Sequence, residues 1–97
     1  MKTKRIIGQI VSRPQVLMNE NYALVLFVVK SNEGYKELHY NKEIISATKT
    51  LAWNFANTKF STIATSSIGE TIEVEIYNST GEIIIFKNVT RGDEEFL

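Results

Sequence analysis

The chain has no cysteine, one proline, one tryptophan and one histidine. Without cysteine there is no disulfide framework, no thiolate metal site and no thiol nucleophile. The lone histidine, His39, has no activating partner that the sequence places beside it, so nucleophilic catalysis lacks its basic apparatus. Net charge is missing too, because eleven Lys and Arg balance eleven Asp and Glu. No global basic field draws in nucleic acid or a membrane surface, and any such partner has to be held by a local patch. No apolar run approaches the roughly 20 residues of a spanning helix, and the basic start Met1–Arg5 is not followed by the apolar core of a signal peptide. A cytoplasmic protein with no membrane association is expected. With five Gly, 43% hydrophobic and 23% charged residues, the composition is that of an ordinary globule. Ninety-seven residues suit one domain, expected over residues 1–90, with a short acidic tail over 91–97.

Strand patterns dominate both ends. Ile6 to Met18 reads as a first strand, interrupted by Gly8, where a bend or close backbone approach is expected, and by Pro14, which implies an edge or bulge. Asn19–Asn21 is a turn. Tyr22 to Lys30 is apolar on both faces, the pattern of a central strand covered on both sides. Ser31–Gly34 is a hairpin turn into a third strand from Tyr35 to about Asn41, where Tyr35, Glu37 and His39 face one way and Lys36, Leu38 and Tyr40 the other. From Thr48 to about Ala64, Ala52, Phe55, Ala56, Phe60 and Ile63 recur at three- and four-residue spacings and predict one helix. Glu70 to Tyr77 alternates, with Ile72, Val74 and Ile76 inward and Glu73 and Glu75 outward and solvated; Asn78–Gly81 turns the chain into a fifth strand, Glu82 to Thr90.

Three strands, a helix and a two-stranded hairpin are the element order of the OB-fold, a five-stranded, partly open Greek-key barrel with its helix between strands three and four. The expected fold is therefore mainly β. An open α+β sheet with one helix on its face shares the same order and stays open as an alternative.

Particular residues also resemble a family. Ile6-Ile7-Gly8-Gln9-Ile10, with Pro14 six residues after the Gly, is similar to the opening of bacterial and phage single-stranded DNA-binding proteins. Leu24 to Lys30 and Glu37-Leu38-His39-Tyr40 look like that family's second and third strands. Leu51-Ala52-Trp53-Asn54-Phe55-Ala56 resembles its helix, and Gly69-Glu70 stands where the family has a Gly and an acid before strand four. The close, Asp93-Glu94-Glu95-Phe96-Leu97, resembles the acidic-apolar peptide with which that family docks replication partners. The resemblance implies an OB-fold protein that coats exposed single strands during replication or recombination, and the small size of the chain suits a phage or plasmid type.

Single strands are held by rings that stack bases and by cations that track phosphates. Tyr22, Phe27, Tyr35 and Tyr40, four of the ten aromatics, fall on the second and third strands, interleaved with Lys30, Lys36 and Lys42. Candidate nucleic-acid-binding residues are Arg13, Tyr22, Lys30, Tyr35, Lys36, His39, Tyr40, Lys42, Tyr77 and Phe86; the last two are equally a cross-strand aromatic pair. Tyr35 and Tyr40 have opposite parity, so at most one of them faces the groove unless a bulge intervenes. Trp53 is expected in packing. Asp93, Glu94, Glu95, Phe96 and Leu97 are the candidate partner-docking residues. With three acids in that tail, the remainder of the chain carries +3. No Gly-rich phosphate loop and no metal-ligand spacing are present, so a non-enzymatic protein without cofactor or metal is expected, assembled as a homo-oligomer. The alternative is an OB-like protein-interaction subunit of replication or conjugation that does not bind DNA. A basic aromatic groove across strands two and three favours the first reading, an apolar patch there the second.

Overall fold

The structure is a computed structural model and describes residues 2–19, 21–43 and 58–92. It is mainly β: β1 (Thr3–Ile10), β2 (Gln15–Met18), β3 (Tyr22–Ser31), β4 (Gly34–Glu43), helix α1 (Thr58–Ala64), β5 (Thr71–Tyr77) and β6 (Ile83–Asn88). All six strands join one curled sheet in the order β2-β3-β1-β5-β6, with β4 on the other edge of β3. The strand pairings are antiparallel. At the two ends of the sheet, a parallel bridge joins His39 of β4 to Glu82, just ahead of β6.

The first predicted strand is two strands, which corrects the expected count from five to six and places α1 between the fourth and fifth. The cause lies in the register. β1 meets β3 at Ile10↔Val29, and β2 resumes on the same edge at Gln15↔Leu26. Four residues, Val11 to Pro14, thus stand opposite only Phe27 and Val28, an excess of two, larger than the single extra residue of an ordinary bulge. Pro14 has no N–H to donate. Ser12 repairs part of the ladder, its Oγ accepting the Val28 N–H at 2.7 Å while the Val11 N–H donates to the Val28 carbonyl at 2.9 Å.

Two glycines mark where strands cross closely. A Cβ on Gly8 would stand 2.9 Å from the Lys30 carbonyl oxygen, the close approach expected from the sequence. Gly81, at φ +78°, would bring one to 2.7 Å from the Glu37 carbonyl oxygen, and its own carbonyl accepts the His39 N–H at 3.1 Å. Only glycine accommodates both the φ and the approach there.

The core follows strand alternation. Ala23, Val25, Phe27 and Val29 of β3 are buried, as are Ile72, Val74 and Ile76 of β5, the latter three as expected. Phe60 and Ile63, one turn apart on α1, are fully buried, and the helix packs against β3, β4 and β6 at one end of the curl. The rest of the predicted helix, residues 48–57 with Trp53 among them, lies outside the described residues.

Two further expectations need correction. Glu73 and Glu75 are half-buried rather than solvated, because Arg5 on β1 lies across the ladder and binds both, at 2.7 and 3.5 Å. The outward row of β3 is half-buried at Leu24, Leu26 and Val28, with no described element laid over it.

Beneath α1 sits a polar knot. Asn88, fully buried, donates to Ser66 Oγ at 3.1 Å and to Glu70 Oε1 at 3.2 Å, and its Oδ1 accepts the Arg91 N–H. Arg91 Nε donates to Glu70 Oε2 at 2.9 Å, and its guanidinium also reaches Thr65. Burial pushes the Glu70 carboxyl up, but the Ser67 N–H, Arg91 and Asn88 outweigh it and hold it below its ordinary value.

Candidate nucleic-acid interface

Strand alternation sorts the candidate residues into two sets. On the outer face, β3 presents Tyr22, Leu24, Leu26, Val28 and Lys30, and β4 presents Tyr35, Glu37, His39 and Asn41. The register sets Lys30 opposite Tyr35, Val28 opposite Glu37, Leu26 opposite His39 and Leu24 opposite Asn41. β2 widens the face with Gln15 opposite Leu26 and Leu17 opposite Leu24.

Tyr22 and Tyr35 are the exposed rings of this face, at 52% and 69% exposure. They stand at its two ends. Tyr35 lies across from Lys30, eight residues or about 26 Å along β3 from Tyr22. Lys30 Nζ is 5.6 Å from the centroid of the Tyr35 ring, a cation–π contact that puts a positive charge beside a stackable face. His39 sits midway, half-buried, its backbone fixed by Gly81. Between the rings the floor is aliphatic: Leu24, Leu26 and Val28, flanked by Leu17.

Lys36, Tyr40 and Lys42 fall on the other parity, with the buried Leu38. The Tyr40 ring is tilted against Phe60 at 6.3 Å between centroids, and Lys59 Nζ lies 5.1 Å over it. Burial, then the charge of Glu82, raises the Tyr40 pKa; burial, then Lys42, lowers that of Lys59. Tyr40 is therefore a packing ring with one cation, Lys59, over its face. Lys36 lines a cavity of about 190 Å³ beside Tyr35, with Lys4, Ile6 and Glu33, where Lys4 and Glu33 pair.

The remaining candidates scatter. Arg13 is exposed in the break between β1 and β2 and borders a cavity of about 290 Å³ with Ser66, Ser67 and Ile68, apart from the two tyrosines. Tyr77 is half-buried at the end of β5. Phe86 is fully buried, which corrects its place among the candidate stacking rings: its register opposite Val74 turns it into the core. It is not paired with Tyr77, which lies opposite Thr3. Asp93 to Leu97 lie outside the described residues.

Sequence reading missed Lys59, Asn41 and Asn19. The alternation that joined Tyr35 to His39 extends to Asn41, so its position was available from parity. Lys59 carried no such signal, because its place over Tyr40 depends on how α1 docks.

Among the described residues, no group of three or more His, Asp or Glu could hold a metal ion, and no helix is long and apolar enough to cross a membrane. Comparison of the chain with protein-family models, curated proteins and solved structures finds no match.

Proposed function

We propose that the curled sheet is an OB-type barrel and that the chain is a non-enzymatic single-stranded DNA-binding protein using the outer face of β2, β3 and β4. The barrel reading is supported by β1 and β2 lying on one edge of β3, as halves of a single bent strand. Counted so, the strands number five and α1 falls between the third and fourth. The His39–Glu82 bridge joins the sheet's two ends, as closure of such a barrel requires. The observation that carries the function is the pair of exposed rings, Tyr22 and Tyr35, on one face, with Lys30 against the second. Stacking is tolerant of sequence because every base has a π-face.

Lys30 is the cation that the strand register sets on this face, since Lys36 and Lys42 project from the opposite side of β4. Binding should then lean on stacking more than on charge. The log affinity should fall with log salt at only about 0.7 per phosphate contact, for one or two contacts. A titration of labelled 30-mer oligo-dT at two salt concentrations tests this, with measurable binding and a shallow salt slope expected.

The aliphatic floor of Leu17, Leu24, Leu26 and Val28 favours a second reading, a protein-interaction module that docks a partner on the same face. Absence of oligo-dT binding even at low salt would make that reading the better one.

A further inference from the structure

One end of the outer face is hollowed. Leu17, Met18, Asn19, Tyr22, Leu24 and Asn41 line a pocket of about 280 Å³. Pockets that hold whole drug-sized ligands run from roughly 300 to 1,000 Å³, so this one suits a fragment. Its walls follow from the register. Leu17, Leu24 and Asn41 stand in one row across β2, β3 and β4, and Tyr22 stands two residues before Leu24 on the same face. Side chains two residues apart on a strand are separated by about 6.6 Å. That is close to twice the roughly 3.4 Å spacing of stacked bases, the gap that admits one flat ring.

The polar rim is equally specific. Asn19 Oδ1 accepts the backbone N–H of both Asn21 and Tyr22 at 2.8 Å, which fixes the turn carrying Tyr22, and the Asn19 amide nitrogen donates to no other described residue. The Asn41 carboxamide is exposed and makes no hydrogen bond to any described residue, so it offers a donor and an acceptor side by side. An apolar partner side chain has no use for such a pair. A nucleobase does.

We propose that this pocket seats one nucleobase of a bound strand, flat between the Tyr22 ring and the Leu17–Leu24 row, with the Asn41 carboxamide reading its edge. The inference rests on the single-strand reading above and adds to it a base preference. An Asn carboxamide pairs in bidentate fashion with adenine, accepting from its N6 amino group and donating to its N7, and such a pair discriminates by roughly 5- to 150-fold.

The test is an anisotropy titration of labelled octamers, all-dT against dT carrying one dA at each position in turn, with the wild-type chain and three variants. The wild type should favour the best-placed dA octamer by at least about 5-fold. Asn41→Leu should erase that preference, so that the dA-containing and all-dT octamers bind alike. Tyr22→Ala should weaken every octamer by roughly 5- to 150-fold, while Tyr22→Phe keeps the affinity. If the octamers bind but Tyr22→Ala and Asn41→Leu match the wild type in affinity and ranking, the pocket is not a base site, and the single-strand reading stands without it. If no octamer binds the wild type, both fail together.

Discussion

Tyr35 and Tyr40 are five residues apart on one strand and do different work. Tyr35 projects into solvent beside Lys30, whereas Tyr40 projects inward onto Phe60 and under Lys59. Their substitutions should therefore separate. Tyr35→Ala should leave the unfolding midpoint nearly unchanged and weaken oligo-dT binding by roughly 5- to 150-fold. Tyr40→Ala strips packing from the fully buried Phe60 ring and should cost about 2 kcal/mol of stability in urea denaturation. Equal stability losses in the two variants would contradict the assignment. Asn88 belongs to the same scale: Asn88→Ala strips partners from Ser66, Glu70 and the Arg91 N–H at once, and should cost about 1–3 kcal/mol.

At the scale of elements, the break between β1 and β2 shapes the sheet. It lets one stretch of chain pair with β5 and β3, then bend and run on along β3. Ser12 holds that bend by accepting the Val28 N–H. Ser12→Ala leaves this donor without its acceptor and should cost about 1–3 kcal/mol, with the Val28 amide exchanging faster than its neighbours. Amide exchange at Val28 unchanged from wild type would show that the serine does not secure the bend. The alternation of β5, the β3–β4 hairpin and the Asn19–Asn21 turn were legible in the sequence because local chemistry sets each: period two, a glycine in the turn, an Asx side chain. The break was only half legible. Pro14 signalled an irregularity, but the number of extra residues depends on where β3 lies, and that is a tertiary fact. Phe86 failed for a related reason. Lying beside a turn did not reveal its face, which the shift between Glu75 and Ile76 on the neighbouring strand helps to set. The two-faced apolar pattern of β3 predicted cover on both sides; the outer face is instead the floor between two exposed rings. A strand with one uncovered apolar face and one buried on both faces share this pattern.

Over the whole molecule, the Glu70–Arg91–Asn88 knot ties the end of β6 to the segment entering β5. Glu70 has its folded pKa held below the ordinary 4.5. Its contribution to stability is thus fully present above the unfolded value and is lost as pH falls through the lower folded value. The urea midpoint of the wild type should drop between neutral pH and about pH 3, and Glu70→Gln should show a smaller drop from a lower start. An identical pH dependence in the variant would mean that other carboxylates govern the acid limb. The outer face carries exposed rings and half-buried aliphatic side chains, while the alternate residues of β3 are buried in the core. Methyl chemical-shift mapping with oligo-dT tests that division most directly, because outward and inward side chains alternate along β3. The methyl signals of Leu24, Leu26 and Val28 should move with saturation while those of Val25 and Val29 stay in place; shifts confined to other surfaces, or none at all, would contradict binding on this face.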